Sequence, residues 1–209
     1  MLAPQGPRTH RVDHLLIAEM VKHGSRVLDV GCGDGALLQL LADTKDVDGR
    51  GIEVSRERVN ACVARGLSVI QGDADHDLAD YPDGAFDYAI LSLTIQATLQ
   101  PKAVLQQLLR IGRYAIVSFP NFGVWHVRLK LLVGGKMPVT DALDQSWYET
   151  PNVHLCTIDD FVDLCRVLNI EIEYAQVLDA AGRPKSLRAP GFFANLLGEQ
   201  GLFVLKRAR

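Results

Sequence analysis

Residues 28–41 read LDVGCGDGALLQLL. Three glycines at alternating positions, Gly31, Gly33 and Gly35, interrupt an apolar strand-like run, and apolar residues then resume at helical spacing. A strand, a glycine-rich turn and a helix bring backbone N–H groups and a helix amino end to the carboxyl edge of a sheet, where open α/β folds bind ligands. The glycines let the backbone approach a bound group closely. Gly31 to Ala36 also satisfies G-x-G-x-x-A, the dinucleotide fingerprint, so a nicotinamide-dependent oxidoreductase using NAD is one reading.

Charge favours another ligand. Asp34 lies inside the turn and Asp29 just before it, so a pyrophosphate would meet like charge in a poorly solvated pocket. S-adenosylmethionine has no phosphate and presents an ammonium and a sulfonium, which carboxylates favour. Glu53 ends the second strand-like run, a position from which a carboxylate can accept both hydroxyls of a ribose. Gly72 and Asp73 follow the third run, and Asp73 could accept from an adenine amino group. Plainer readings stand beside these: glycines for tight packing, Glu53 as a solvated strand end, Asp73 as a turn residue and Cys32 as a small filler. Asp87 is better placed to organise the entry to a strand than to touch a ligand.

These residues need elements that set them along one edge. Short β-branched runs alternate with longer helical ones, without internal repeat or low-complexity tract, as in a parallel sheet covered on both faces. The spacing predicts a helix over 12–23 with Val12, Leu15, Leu16 and Met20 buried. Strands follow over 26–30, 49–54, 67–71, 86–91 and 114–119, with helices over 36–42, 56–65 and 101–110, the last opened by Pro101. VWHVRLKLLV at 124–133 fits a strand through Val127, Leu129 and Leu131 and equally a helix through Trp125, Leu129 and Leu132; periodicity leaves both open. Residues 134–153 carry Gly, Pro and turn residues and read as a long loop or lid. Thr157 and Asp160 form a capping-box pattern before a helix containing Phe161, Val162, Leu164 and Cys165. Final strands are expected over 171–177 and 201–206, separated by a loop around 181–190 and paired so that the last is antiparallel.

DVGCGDG at Asp29 to Gly35, Glu53, the Gly72–Asp73 pair and FDYAILS at 86–92 resemble, in order and spacing, the motifs of the class I S-adenosylmethionine-dependent methyltransferases. FDYAILSLTIQAT, SFPNFGVWHVRLKLLVGGKMPVT, WYETPNVHLCTIDDF and NLLGEQ resemble, over almost the whole chain, the MetW family of methionine-biosynthesis proteins. The resemblance implies an α/β, Rossmann-like three-layer sandwich with a mostly parallel seven-stranded sheet and an antiparallel last strand. It implies one domain over 1–209 with a lid or insertion at about 120–156. It also implies S-adenosylmethionine or S-adenosylhomocysteine at Asp29, Gly31, Gly33, Asp34, Gly35, Glu53, Asp73 and Ser92, and physical partnership with homoserine O-acyltransferase. Whether a methyl group is transferred stays open.

Methyl transfer from a sulfonium asks mainly for in-line positioning and exclusion of water. Leu91-Ser92-Leu93-Thr94 lacks the Asp/Asn-Pro-Pro-aromatic signature that holds nitrogen acceptors, so amino groups of DNA bases or glutamine are not the expected substrates. For a small-molecule acceptor, Trp125, His126, Trp147, Tyr148, Asn152 and His154 could wall a site, with His126 or His154 as base. The alternative makes the tryptophans loop anchors and the histidines satisfied hydrogen-bonders. No G-x-S-x-G elbow occurs, so the chain does not resemble the acyltransferase itself. Residues 124–133 and the aromatic lid are the candidate partner surface, or else core beneath the lid.

A formal charge of −3 and a pI near 6.1 lack the positive field that nucleic-acid backbones require. Lys206, Arg207 and Arg209 form a short basic tail, read as a solvated end. No run approaches the roughly 18–20 apolar residues of a membrane span, and MLAPQGPRTHRVDHLL has no signal-peptide core, so a cytoplasmic protein is expected. Cys32, Cys62, Cys156 and Cys165 lack CxxC spacing and read as reduced thiols. His154 and Cys156 are too few to make a metal site.

Overall fold

The computed structural model describes residues 11–140 and 145–208. The opening ten residues, Arg209 and positions 141–144 of the expected lid lie outside the described residues. Five strands form the first part of the chain: β1 (Arg26–Val30), β2 (Asp48–Glu53), β3 (Ser68–Gln71), β4 (Phe86–Ser92) and β5 (Gly112–Pro120). Between them run α1 (Val12–Met20, before β1), α2 (Ala36–Lys45), α3 (Arg56–Ala64) and α4 (Pro101–Ile111). Then come α5 (Trp125–Gly134), α6 (Ile158–Val167), β6 (Ile170–Leu178), β7 (Pro184–Lys185), α7 (Phe192–Leu197) and β8 (Gln200–Arg207).

The strands lie in the order β3-β2-β1-β4-β5-β8-β6-β7. The first five are parallel, and β8 runs antiparallel between β5 and β6. The expected seven-stranded sheet is corrected to eight, because Pro184–Lys185 pairs with Val177–Leu178 and adds a two-residue edge. Alternate strand residues feed two apolar layers. Val27, Ile90 and Ile116 pack with Ile17, Leu37 and Leu41 from α1 and α2. Leu28, Leu91 and Val117 pack with Leu105 and Phe161 from α4 and α6.

Three expectations change, and one open choice is decided. The helix expected over 12–23 ends at Met20, and its buried residues are Asp13, His14, Ile17 and Ala18, while Leu15 is exposed. Tertiary contact rotates it: Asp13 pairs with Arg11, and Gly182 sits against the Asp13 backbone. Residues 124–133 resolve as helix, capped by Gly135 in the left-handed conformation, with Val127 buried and Leu131 partly so. The expected loop at 181–190 contains β7 and is followed by α7, which the pattern did not reveal. Lys206 and Arg207 are not a free tail; they close β8, and Lys206 pairs with Glu171 and Glu173.

The capping box is present: Asp160 N–H donates to Thr157 Oγ1, and the Thr157 N–H donates to the Asp160 carboxylate. Asp87 accepts the Arg26 backbone N–H at 2.9 Å, tying β4 to β1, and this bond holds its carboxyl below the ordinary range.

Candidate functional site

The glycine turn leaves β1 between β2 and β4, where strand order reverses and an open sheet presents a crevice. Gly31, Gly33 and Gly35 have φ of +72°, +57° and +75°, values other residues adopt only with strain. Their roles differ. A Cβ on Gly31 would lie 2.7 Å from Thr94 Cγ2, and one on Gly35 would lie 2.5 Å from Leu67 Cδ1, so Gly31 lets the turn close on the β4 loop and Gly35 seats it on α3. A Cβ on Gly33 would meet open space.

Glu53 connects the turn to the second strand. It is 4 % exposed. Its Oε2 accepts the Gly33 N–H and its Oε1 the Ser55 N–H, each at 2.9 Å. Each oxygen keeps a second lone pair for another donor. Asp29 lies beneath the turn, 2 % exposed; burial first, and then the neighbouring Glu53 charge, push its carboxyl up to about 7, against a smaller pull from Arg11. Asp34 is exposed and folds back on its own helix, accepting the Ala36 N–H at 3.1 Å.

A groove of about 410 Å³ opens along this edge. Gly31, Glu53 and Asp73 line it together, joined by Arg58, Leu93, Thr94, Leu99 and Pro151. Asp29, Gly33, Asp34, Gly35 and Ser92 do not line it; they build the turn or lie behind it. Ser92 Oγ accepts from Ser118 Oγ at 3.4 Å, linking the ends of β4 and β5. Asp73 is partly committed to its own turn, accepting the Asp75 N–H at 2.9 Å and lying 3.2 Å from His76 Nδ1.

Several residues at this edge of the sheet, Leu93 and Asp75 in the groove and Gln96 and Asn121 outside it, carried no sequence pattern. Leu93 adopts φ +49° where β4 ends, a strained backbone of the kind that gathers at ligand clamps. Asp75 reaches across to the backbone of Leu99 and Gln100. Gln96 O accepts the N–H groups of Val153 and His154 at 2.8 and 2.9 Å, pinning this segment to the 3-10 turn after β4. Asn121, just after β5, donates to Asn195 O and Gly198 O and accepts from Gly123 and Ile158. An Asn directly after a strand-ending Pro, as in FPNF, was the available hint.

The six residues expected to wall an acceptor site are dispersed. Trp147 and Asn152 line one cavity of about 250 Å³, and His154 a second of about 270 Å³ with Cys156. The tryptophans are not buried anchors: Trp125 is half exposed and Trp147 more so. Tyr148 packs edge-on against Trp147 and is likewise exposed. His154 Nε2 lies 3.3 Å from Leu99 O, so this nitrogen donates and is engaged. His126 Nε2 faces Glu199 at 3.6 Å.

Burial raises the thiols of Cys32, Cys62, Cys156 and Cys165 above their ordinary range, Cys156 and Cys165 to about 12. All four are free. No group of three or more metal-ligating side chains occurs among the described residues.

A family model described as "Methionine biosynthesis protein MetW" matches residues 11–205. The chain belongs to the MetW family. It is 38 % identical over 174 residues to a bifunctional methionine biosynthesis protein MetXA/MetW of Rhodopirellula baltica, covering 79 % of this chain and 28 % of that protein. The MetW chain therefore spans just over a quarter of that relative. An ajmaline N-methyltransferase of Rauvolfia serpentina is 24 % identical over 201 residues, 88 % of this chain and 68 % of that one. Among solved structures, an S-adenosylmethionine-dependent methyltransferase of Thermotoga maritima superposes with a TM-score of 0.67 at 19 % identity, covering 95 % of this chain and 89 % of that one. A TehB-like S-adenosylmethionine-dependent methyltransferase of Corynebacterium glutamicum gives 0.63 at 16 % identity, covering 97 % and 90 %. The MetW chain thus has the methyltransferase fold, a mostly parallel sheet with an antiparallel C-terminal strand.

Proposed function

We propose that this MetW-family chain binds S-adenosylmethionine or S-adenosylhomocysteine in the groove beside Gly31 and acts in the cytoplasm as partner and activator of a homoserine O-acyltransferase. The observation that carries the ligand reading is the convergence of Gly31, Glu53 and Asp73 on one groove. The donor set fits the group: carboxylates suit ribose hydroxyls, an adenine amino group and a cationic sulfonium, whereas a pyrophosphate would meet the carboxylates of Glu53, Asp73 and Asp75. A nicotinamide dinucleotide is disfavoured on the same ground.

In this reading Glu53 accepts the ribose hydroxyls while still bracing Gly33 and Ser55. Asp73 orients the base, and Asp29 lies buried beneath the turn. Gly33, Asp34, Gly35 and Ser92 shape the turn and its floor, and residues 120–156 act as a lid on a single methyltransferase-like domain. When bound, S-adenosylmethionine supplies an electrophilic methyl group; the chain's own share is to hold the nucleoside and exclude water.

Partnership is supported by the relative whose name joins MetXA and MetW in one protein. S-adenosylhomocysteine titrated into the purified chain should bind saturably, and Glu53→Ala should abolish binding while NAD gives no heat. Stoichiometric chain should raise acyltransferase activity; unchanged activity would sink the partnership. A second reading, methyl transfer to a small molecule, draws on the 250 Å³ cavity across the lid, where Thr150 and Asn152 line the cavity and Pro151 between them lines the groove. Acceptor-dependent loss of the methyl group would support it.

A further inference from the structure

Helix α5 is apolar on two sides. At about 100° per residue, Trp125, Leu129, Leu132 and Val133 fall on one side of it. They are 50, 48, 84 and 78 % exposed. Val127 and Leu131 on the opposite side seat the helix against Phe122 and Val124. The four exposed residues form one continuous stripe along the helix. Contiguous apolar surface of this kind marks an interaction site.

Charge around the stripe selects the occupant. Residues 121–140 contain three cations, Arg128, Lys130 and Lys136, and no Asp or Glu. Anionic lipid is recognised by clusters of roughly four to eight cations. Three cations fall short of such a cluster, which disfavours a membrane. A second copy meeting across a two-fold axis would place the same patch against itself. Arg128 and Lys130 flank the stripe on its two sides, so in such a helix-to-helix contact cations would face cations. A different protein with carboxylates around an apolar cleft suits the surface.

We propose that the exposed face of α5 is the surface on which the acyltransferase docks. This rests on the partnership proposed above, and it assigns the contact to a face remote in sequence from the glycine turn.

The test uses the full chain and purified homoserine O-acyltransferase at low salt, read by calorimetry and sedimentation. Leu132→Asp with Val133→Asp should weaken the complex by about thirtyfold or more, the scale of a lost interface anchor. Val167→Asp, at an exposed position on α6, should leave it unchanged. If the double variant fails to fold, Leu132→Ser carries the same test. No complex with the unaltered chain sinks the partnership itself; a complex that the double variant forms equally well overturns only the surface. An unaltered chain that sediments as a dimer and becomes monomeric in the double variant gives the face to a second copy. Retention on phosphatidylserine vesicles that the double variant loses gives it to a membrane. Either result overturns the proposal.

Discussion

The carboxylate of Asp75 accepts the backbone N–H of Gln100 at 2.8 Å, and its second oxygen accepts that of Leu99 at the same distance. Asp75 belongs to the turn after β3, whereas Gln100 is the N-cap of α4. One side chain therefore clasps the two loops that face each other across the groove and places negative charge at the amino end of α4. Leu99, held in this way, receives His154 through its carbonyl oxygen.

Asp75→Ala should destabilise the fold by about 2–3 kcal/mol, since it removes two hydrogen bonds to a charged acceptor. Because the clasp shapes the groove, S-adenosylhomocysteine affinity should fall about tenfold. Asp80→Ala, at an exposed carboxylate nearby, should change neither. Thermal melts and calorimetric titration of the two variants decide it.

Glu53→Gln keeps the size of the side chain but turns an amide donor toward Gly33 or Ser55. Binding of S-adenosylhomocysteine should weaken by roughly 2–3 kcal/mol, the cost of an unpaired buried donor together with a lost charged acceptor. A Glu53→Gln titration matching that of the unaltered chain would remove Glu53 from the ligand site.

Asp29 sets a pH dependence. Its carboxyl titrates at about 7 in the folded chain against an ordinary 3.8, mainly through burial. The native state therefore holds a proton that the unfolded chain has already released. Stability from this group is greatest at low pH, declines as pH rises from about 4 to about 7, and is level above that. The span is on the order of 4 kcal/mol. Asp29→Asn should flatten this part of the profile and raise the melting temperature at pH 8, which melts between pH 5 and 8.5 would reveal.

Asn121→Ala breaks four buried hydrogen bonds, three of which join the end of β5 to α6 and to α7 and its C-cap. A loss of about 3 kcal/mol is expected. Asn121→Asp should be no better, because an ionised carboxylate would face Asn195 O and Gly198 O without donors. Denaturant unfolding of both variants checks this.

Much of the fold was legible because its signals are local. Strand β1, the glycine turn and the Thr157–Asp160 box are written in consecutive residues and were placed within one or two positions. Residues 124–133 were ambiguous only while their ends were ignored; the Gly134–Gly135 pair, with Gly135 at φ +59°, is a helix stop. The buried side of α1 was misread because it is set by Arg11 and by a loop at Gly182 far away in the chain. Gly31, Glu53 and Asp73 could be proposed for the groove since each ends or follows a strand. The roles of Asp75, Gln96 and Asn121 could not be read, since their long-range partners lie 24 to 77 residues away.

The place of β8 has a consequence for synthesis. Residues 200–207 fill the gap between β5 and β6, so until they leave the ribosome two neighbouring strands each hold an unsatisfied edge. The parallel half, β1 to β5, can form while translation continues; the antiparallel half waits until β8 has been made. In that interval the nascent chain displays the kind of open strand edge that recruits chaperones or other chains.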